Sequence, residues 1–293
     1  HCFMTVLNGS RPSAWYMEGM AEYFGTHSID AAGRASFGVM PDEFTDFVGF
    51  GRVEMLGLDV AAGNFRAVDD VLALTGNDYI QSRREPYAWS WAFCKFLDAH
   101  PRYQARFREL SHHVYDPGFA QRAREMVATD GDLLAVEWEL FIRHLRYGSD
   151  IARAAIDFQR GSPLPAGDTT AIELRTDAGW QSSGVWCDAG ANYRLTAAGE
   201  VTLALEPKPW ISQPQGVSIR YSDERPLGRV VAAILSESPP GPNGEGALWH
   251  VFDVGRGVEL TPAFSGTLYL RVNDDWNSLA DNAGEYSVEI VRQ

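Results

Sequence analysis

The sequence predicts an α plus all-β protein in two domains: a mainly helical half over residues 1–160, then a small jelly-roll-like β-sandwich over 169–293. Three observations predict it. Apolar residues recur at helical spacing through the first half and switch to a period of two in the second. Between the halves, "GSPLPAGD" (Gly161 to Asp168) holds two prolines and two glycines, which reads as a linker over 161–168. The length, 293 residues, is enough for two cores.

The helices follow in order. "SAWYMEGMAEYFG" sets Trp15, Met17, Met20, Ala21 and Phe24 near helical spacing and stops at Gly25. "DEFTDFVGFGRVEML" and "AVDDVLALTG" are shorter candidates. "EPYAWSWAFCKFLDAH" is a strongly apolar helix that ends before Pro101, and "PRYQARFRELSHHVY" follows it. "GDLLAVEWELFIRHLRYG" lines up Leu134, Trp138, Phe141 and Leu145 on one stripe. These aromatics read as core. Beyond the linker, "ANYRLTAAGEVTLALE", "GVSIRYS", "GRVVAAIL", "GTLYLRVND" and "EYSVEIV" are short alternating runs between turn residues, the pattern of a sandwich. "SESPPGPNGEG" reads as a mobile loop.

A net charge of −14 argues against nucleic-acid backbones and anionic membranes as partners and suits cations. No run of 18 apolar residues exists to span a bilayer. Cys2, Cys94 and Cys187 allow one disulfide at most, and their spacing fits no metal cluster. Nine Trp and eleven Tyr, recurring beside Gly and Pro in the second half, point to an extracellular or periplasmic protein. His112 and His113 are adjacent and make a poor metal pair on a helix. His100 before a proline and His144 among arginines read as solvated.

The opening "HCFMTVLNGSRPSAWYMEGMAEYFGTH" carries no initiator Met. Its pattern P-x-W-x-x-E-G-x-A-x-Y-F resembles the second helix of gluzincin zinc peptidases of the MA-like group, which follows their H-E-x-x-H helix. The resemblance implies a zincin-type half-domain with Glu18 as third zinc ligand, His1 as the second histidine, and Glu22 bracing a ligand histidine from one turn on. The first histidine and the catalytic glutamate would precede His1. The chain is therefore expected to be a fragment of a zinc metallopeptidase acting on peptide or protein substrates, inactive by itself, with no catalytic residue of its own. Tyr87 offers either a phenol for an oxyanion or plain core packing. Without the resemblance, an acidic residue such as Glu18 on this helix would simply pair with an arginine.

The second half is similar over about 120 residues to the PA-IL type of calcium-dependent galactose-binding lectin. The resemblance rests most sharply on "NDDWNSLADNAG". It implies calcium held by the side chains of Asp274, Asp281 and Asn282 and the main-chain oxygen of Ser278, with a further carbonyl from the loop after "AAGEV". Calcium wants six to eight such oxygens. An Asx-rich hairpin that is merely solvated is the plainer alternative. Carbohydrate would be held by Gln213 and Gln215 around Pro214, although Gln213 stands where the family has a histidine and the spacing is one residue shorter. Trp210 and Trp276 could stack on a sugar or serve as structure. The two resemblances together imply a secreted zinc metallopeptidase with an appended calcium-binding, carbohydrate-binding sandwich. The rival is a non-enzymatic lectin-like module on a degenerate helical scaffold.

Overall fold

A computed structural model describes residues 12–47, 51–82, 84–206, 208–238 and 244–293. It contains both helices and β-sheets, and it divides along the chain into two compact units, the second beginning at Arg153.

The first unit is built around one helix. α1 spans Ala14–Gly25, α2 Arg52–Ala61, α3 Val68–Leu72, α4 Gly76–Ser82 and α5 Glu85–Ala99. α6 spans Gln104–Leu110, α7 Phe119–Ala128 and α8 Gly131–His144. α5 is apolar nearly all round, so it is buried nearly all round, from Pro86 to Leu97. Pro86 suits its first turn, where no N–H is needed. Pro101 ends it by driving His100 to an extended conformation (ψ 124°). Aromatic rings tie its neighbours to it: Phe93 meets Trp15 at 5.3 Å and Trp138 at 5.2 Å, both edge-on. Trp138 Nε1 donates to Arg66 O (2.9 Å) and Trp89 Nε1 to Asp59 (2.8 Å), so these two buried indoles are satisfied.

Several sequence expectations change here. α1 buries Trp15, Tyr16 and Gly19, while Phe24 is 49% exposed. Phe24 instead meets Phe37 edge-on (5.5 Å), on a hairpin of β1 (His27–Ile29) and β2 (Ala35–Phe37). In "DEFTDFVGFGRVEML" the helix begins only at Arg52, because Asp46 accepts from the N–H groups of Asp42 (2.7 Å) and Glu43 (2.9 Å) and closes a turn. The helix in "PRYQARFRELSHHVY" gives way to a 3₁₀ turn at Ser111–His113. His100 is not solvated: it is 2% exposed and bonded to Glu137. Cys94 and Cys187 are buried free thiols, and Cys2 lies outside the described residues.

The second unit holds two principal sheets. One runs β11–β10–β13–β5–β3 with β9 also on β10, and the other β12–β6–β14–β4. The first is made of β3 (Ser162–Pro163), β5 (Gln181–Cys187), β9 (Gln215–Ser222), β10 (Arg225–Leu235), β11 (Phe252–Asp253) and β13 (Gly266–Val272). The second is β4 (Thr169–Arg175), β6 (Tyr193–Ala198), β12 (Gly257–Leu260) and β14 (Glu285–Arg292). A two-stranded ribbon pairs β7 (Val201–Ala204) with β8 (Trp210–Ser212). β6 and the first six residues of β14 alternate buried and exposed, as strands with one face in a core do. β13 departs from alternation and is buried throughout. Its Leu268, Leu270 and Val272 join the core, so Thr267, Tyr269 and Arg271 are buried on the opposite face.

Residues 161–168 are not a linker. β3 pairs parallel with β5, Gly161 N donates to Thr267 Oγ1 (2.9 Å), and Gly167 N donates to Arg292 O (2.8 Å). A Cβ on Gly161 would run into the Val185 backbone. The glycine serves close approach here, not flexibility. Residues 239–243 of the Pro/Gly loop lie outside the described residues.

Candidate functional sites

α1 presents Glu18 and Glu22 one turn apart. Glu22 faces α2, where Arg52 Nη2 donates to Oε1 (2.8 Å) and Arg52 Nε to Oε2 (3.2 Å), a bidentate and mostly buried pair. Both oxygens thus receive an arginine N–H. Glu18 is half-buried, and burial raises its carboxyl. Its charge reaches two phenols. Tyr87 is raised by burial, then by Glu18 and Glu22. Tyr79 is raised chiefly by burial, with Glu18 adding to it, and its hydroxyl shares a hydrogen with Ser90 Oγ at 2.6 Å. The Tyr79 and Tyr87 rings meet edge-on at 4.9 Å. The fold therefore gathers Glu18, Glu22, Tyr79 and Tyr87 from α1, α4 and α5. His1 lies outside the described residues. Among the described residues, no three His, Cys, Asp or Glu side chains gather as a metal cluster.

The second candidate is the turn between β13 and β14. Asn273 anchors it: its Nδ2 reaches Ser222 O and Arg225 O (both 3.0 Å) and Pro226 O (3.1 Å), pinning the turn to the β9–β10 hairpin. Ser222 Oγ donates to Asp275 at 2.6 Å. Across the turn, Thr202 and Ala283 exchange both backbone bonds (2.9 and 2.8 Å), which brings β7 alongside Asn282.

Asp274 and Asn282 meet inside this frame. Asp274 Oδ1 accepts from Asp275 N (2.7 Å), and Asn282 Nδ2 donates to Thr176 O (3.0 Å). Asp274 Oδ2 and Asn282 Oδ1 are buried with no partner among the described residues. Burial pushes the Asp274 carboxyl up to about 6, against the pull of Asn282, Asp275 N–H and Arg271. Leaving two buried acceptors unpaired costs roughly 1–3 kcal/mol each. A buried carboxylate oxygen and a buried amide oxygen left unpaired in one turn are the kind of donors a hard cation takes. Ser278 is half-buried, and Asp281 is exposed in a 3₁₀ turn.

Arg271 was not legible as a site residue. It is 3% exposed, its guanidinium lies 3.8 Å from the Trp276 ring centre, and its Nη2 donates to Asp274 O. Its Nε has no acceptor among the described residues. Burial lowers it to about 10 while Asp223, Asp274 and Asp275 pull it back up, so it stays charged at neutral pH. In "GTLYLRVND" an arginine at alternate spacing reads as an ordinary solvent-facing residue, and no sequence signal says otherwise. Trp276, 9% exposed, covers this guanidinium instead of offering a face to a sugar.

The glutamines come together around Pro214. Gln215 Nε2 and Gln213 Oε1 are 3.4 Å apart. Arg256 donates to the carbonyl oxygens of both, with 2.8 Å from Nε to Gln215, and Gln213 Nε2 donates to Glu200 (2.8 Å). Trp210 is half-buried under Arg220, whose charge lies 5.6 Å from its ring.

No protein-family model matches the chain, and no curated protein matches it. Solved structures show weak likenesses. The PllA-like lectin that forms the N-terminal domain of EclA is 22% identical, with 43% of this chain and 95% of that one covered and a TM-score of 0.32. PliG of Aeromonas hydrophila, a periplasmic inhibitor of g-type lysozyme, is 10% identical over 43% of this chain and 83% of its own, with a TM-score of 0.22. IMPa from Pseudomonas aeruginosa, solved in complex with an O-glycopeptide, is 13% identical. That likeness covers 93% of this chain but 26% of IMPa, with a TM-score of 0.23. No helix among the described residues is long and apolar enough to cross a membrane.

Proposed function

We propose that the second unit binds calcium at the β13–β14 turn and, with that ion, a carbohydrate. The observation that carries the reading is the pair of buried, partnerless oxygens on Asp274 and Asn282. A divalent cation would satisfy both and offset the burial cost of the carboxylate. Ser278 O, Asp281 and a carbonyl after Val201 would complete the ligand set, and Gln213 and Gln215 would meet sugar hydroxyls. Calcium should raise the melting temperature of the full chain and chelator should lower it, by mass action on the folded state. Asp274→Ala or Asn282→Ala should abolish the shift, while Glu173→Ala, an exposed change on β4, should keep it. Galactose is the sugar to titrate, and any binding should vanish with chelator. A melting curve indifferent to calcium and chelator defeats the reading.

For the first unit, the reading is descent from a gluzincin-type zinc metallopeptidase of secreted or periplasmic location, with Glu18 as a zinc ligand. The grouping of Glu18 with the Tyr79 and Tyr87 phenols favours it over a plain packing helix, because a metal-bound oxyanion calls for such a donor nearby. The test of that reading is zinc retained after dialysis: Glu18→Ala should lower it, because a zinc ligand is lost. Zinc retention unchanged by Glu18→Ala would contradict Glu18 as a ligand.

A further inference from the structure

We infer that Arg271 is a built-in counter-ion of the β13–β14 turn, one that stands in for a metal and competes with it. The inference rests on the calcium reading above. It starts from an imbalance. Asp223, Asp274 and Asp275 all act electrostatically on one buried guanidinium, yet the geometry gives that guanidinium the main-chain oxygen of Asp274, not its carboxylate. Asp274 Oδ2 and Arg271 Nε each remain without a partner. The arginine thus supplies positive charge to the turn while leaving the carboxylate oxygen open.

The placement of Arg271 explains how this is possible. It sits on the face of β13 away from the core, and Trp276, from the turn itself, closes over it at 3.8 Å. A stacked, weakly hydrated guanidinium tolerates such burial where an ammonium would not. Its charge lowers the cost of gathering Asp223, Asp274 and Asp275 with no metal bound. The same charge repels a cation arriving at Asp274 Oδ2. The consequence is a turn that stays folded without calcium and takes it weakly and reversibly.

The test measures calcium by isothermal titration and melting temperature in the 293-residue chain, for the wild type, Arg271→Met and Arg271→Gln. Removing the guanidinium should tighten calcium by about tenfold or more, since one nearby unit charge is lost. It should also lower the metal-free melting temperature and enlarge the calcium-induced rise. A variant that folds only in the presence of calcium supports the inference fully. If wild type binds calcium and both variants bind it equally well, Arg271 has no such role, while the calcium reading stands. If both variants stay unfolded with and without calcium, the guanidinium is structural and no metal replaces it, which also overturns the inference. If Asp274→Ala and the wild type alike show no calcium binding, the calcium reading itself has failed.

Discussion

Gly19 of α1 faces Ser90 of α5 so closely that a Cβ built on Gly19 would stand 2.5 Å from the Ser90 carbonyl oxygen and 2.6 Å from Cys94 Sγ. The glycine after Glu18 in "MEGMAEYF" is thus a packing requirement that brings the Glu18 helix against the Tyr87 helix. Its backbone is ordinary helix, so the constraint is distance between helices and not φ. Gly19→Ala should destabilise the chain by about 2 kcal/mol, the cost of overpacking against backbone, despite alanine's better helix propensity. Denaturant unfolding measures it, and a stabilised variant would show that α1 can move away freely.

A buried three-way bond gives a second expectation. Glu137 on α8 takes His100 Nε2 at 2.8 Å on one oxygen and the Tyr103 hydroxyl on the other, with all three side chains buried. His100 Nδ1 accepts Arg102 N–H (3.2 Å), which assigns the ring proton to Nε2. Glu137→Ala strands two buried donors and should cost about 3 kcal/mol or more, whereas Tyr103→Phe should cost about half as much. Equal stability of Glu137→Ala and the wild type in urea melts would refute the account.

Asp98 supplies a pH dependence. Burial raises its carboxyl, but hydrogen bonds from Arg108 Nε (2.7 Å) and Tyr23 (2.5 Å), with the charges of Arg108 and Lys95, more than reverse this and leave it lowered. A lowered folded-state value means stability that is present above the ordinary carboxylate range and lost as pH falls through it. Asp98→Asn should therefore be less stable than wild type at pH 7, with the gap closing as pH falls below the ordinary carboxylate range. Paired thermal melts at several pH values check this, and a gap constant with pH would contradict it.

Limited proteolysis tests the boundary. Gly161 and Gly167 have their N–H groups bonded and Ser162–Pro163 lies in a sheet, so a broad-specificity protease such as proteinase K should leave 161–168 uncut under native conditions. Early cleavage there would return the segment to the role of a linker.

The local order of the chain was legible because periodicity is a local property. The long apolar run "EPYAWSWAFCKFLDA" and the proline after it are sufficient for α5, and the period of two in "EYSVEIV" is sufficient for β14. The change of period near residue 161 likewise marked a change from helix to sheet. The residues of the turn, Asp274 through Asn282, stand close in sequence, so the sequence groups them as one polar turn. Other features depended on what packs against what. The proline after His100 predicted an end to a helix, and it was Glu137, 37 positions away, that made His100 a core residue. The prolines and glycines of 161–168 spelled flexibility, until Val185 and Thr267 gave Gly161 a close neighbour on each side. Arg271 occupied a solvent position in the strand pattern, and only Trp276 folding back over it turned an exposed charge into a buried one. Burial is set by distant partners that the spacing of neighbours along the chain does not encode, so the elements belong to the sequence and the electrostatics of the site to the tertiary structure.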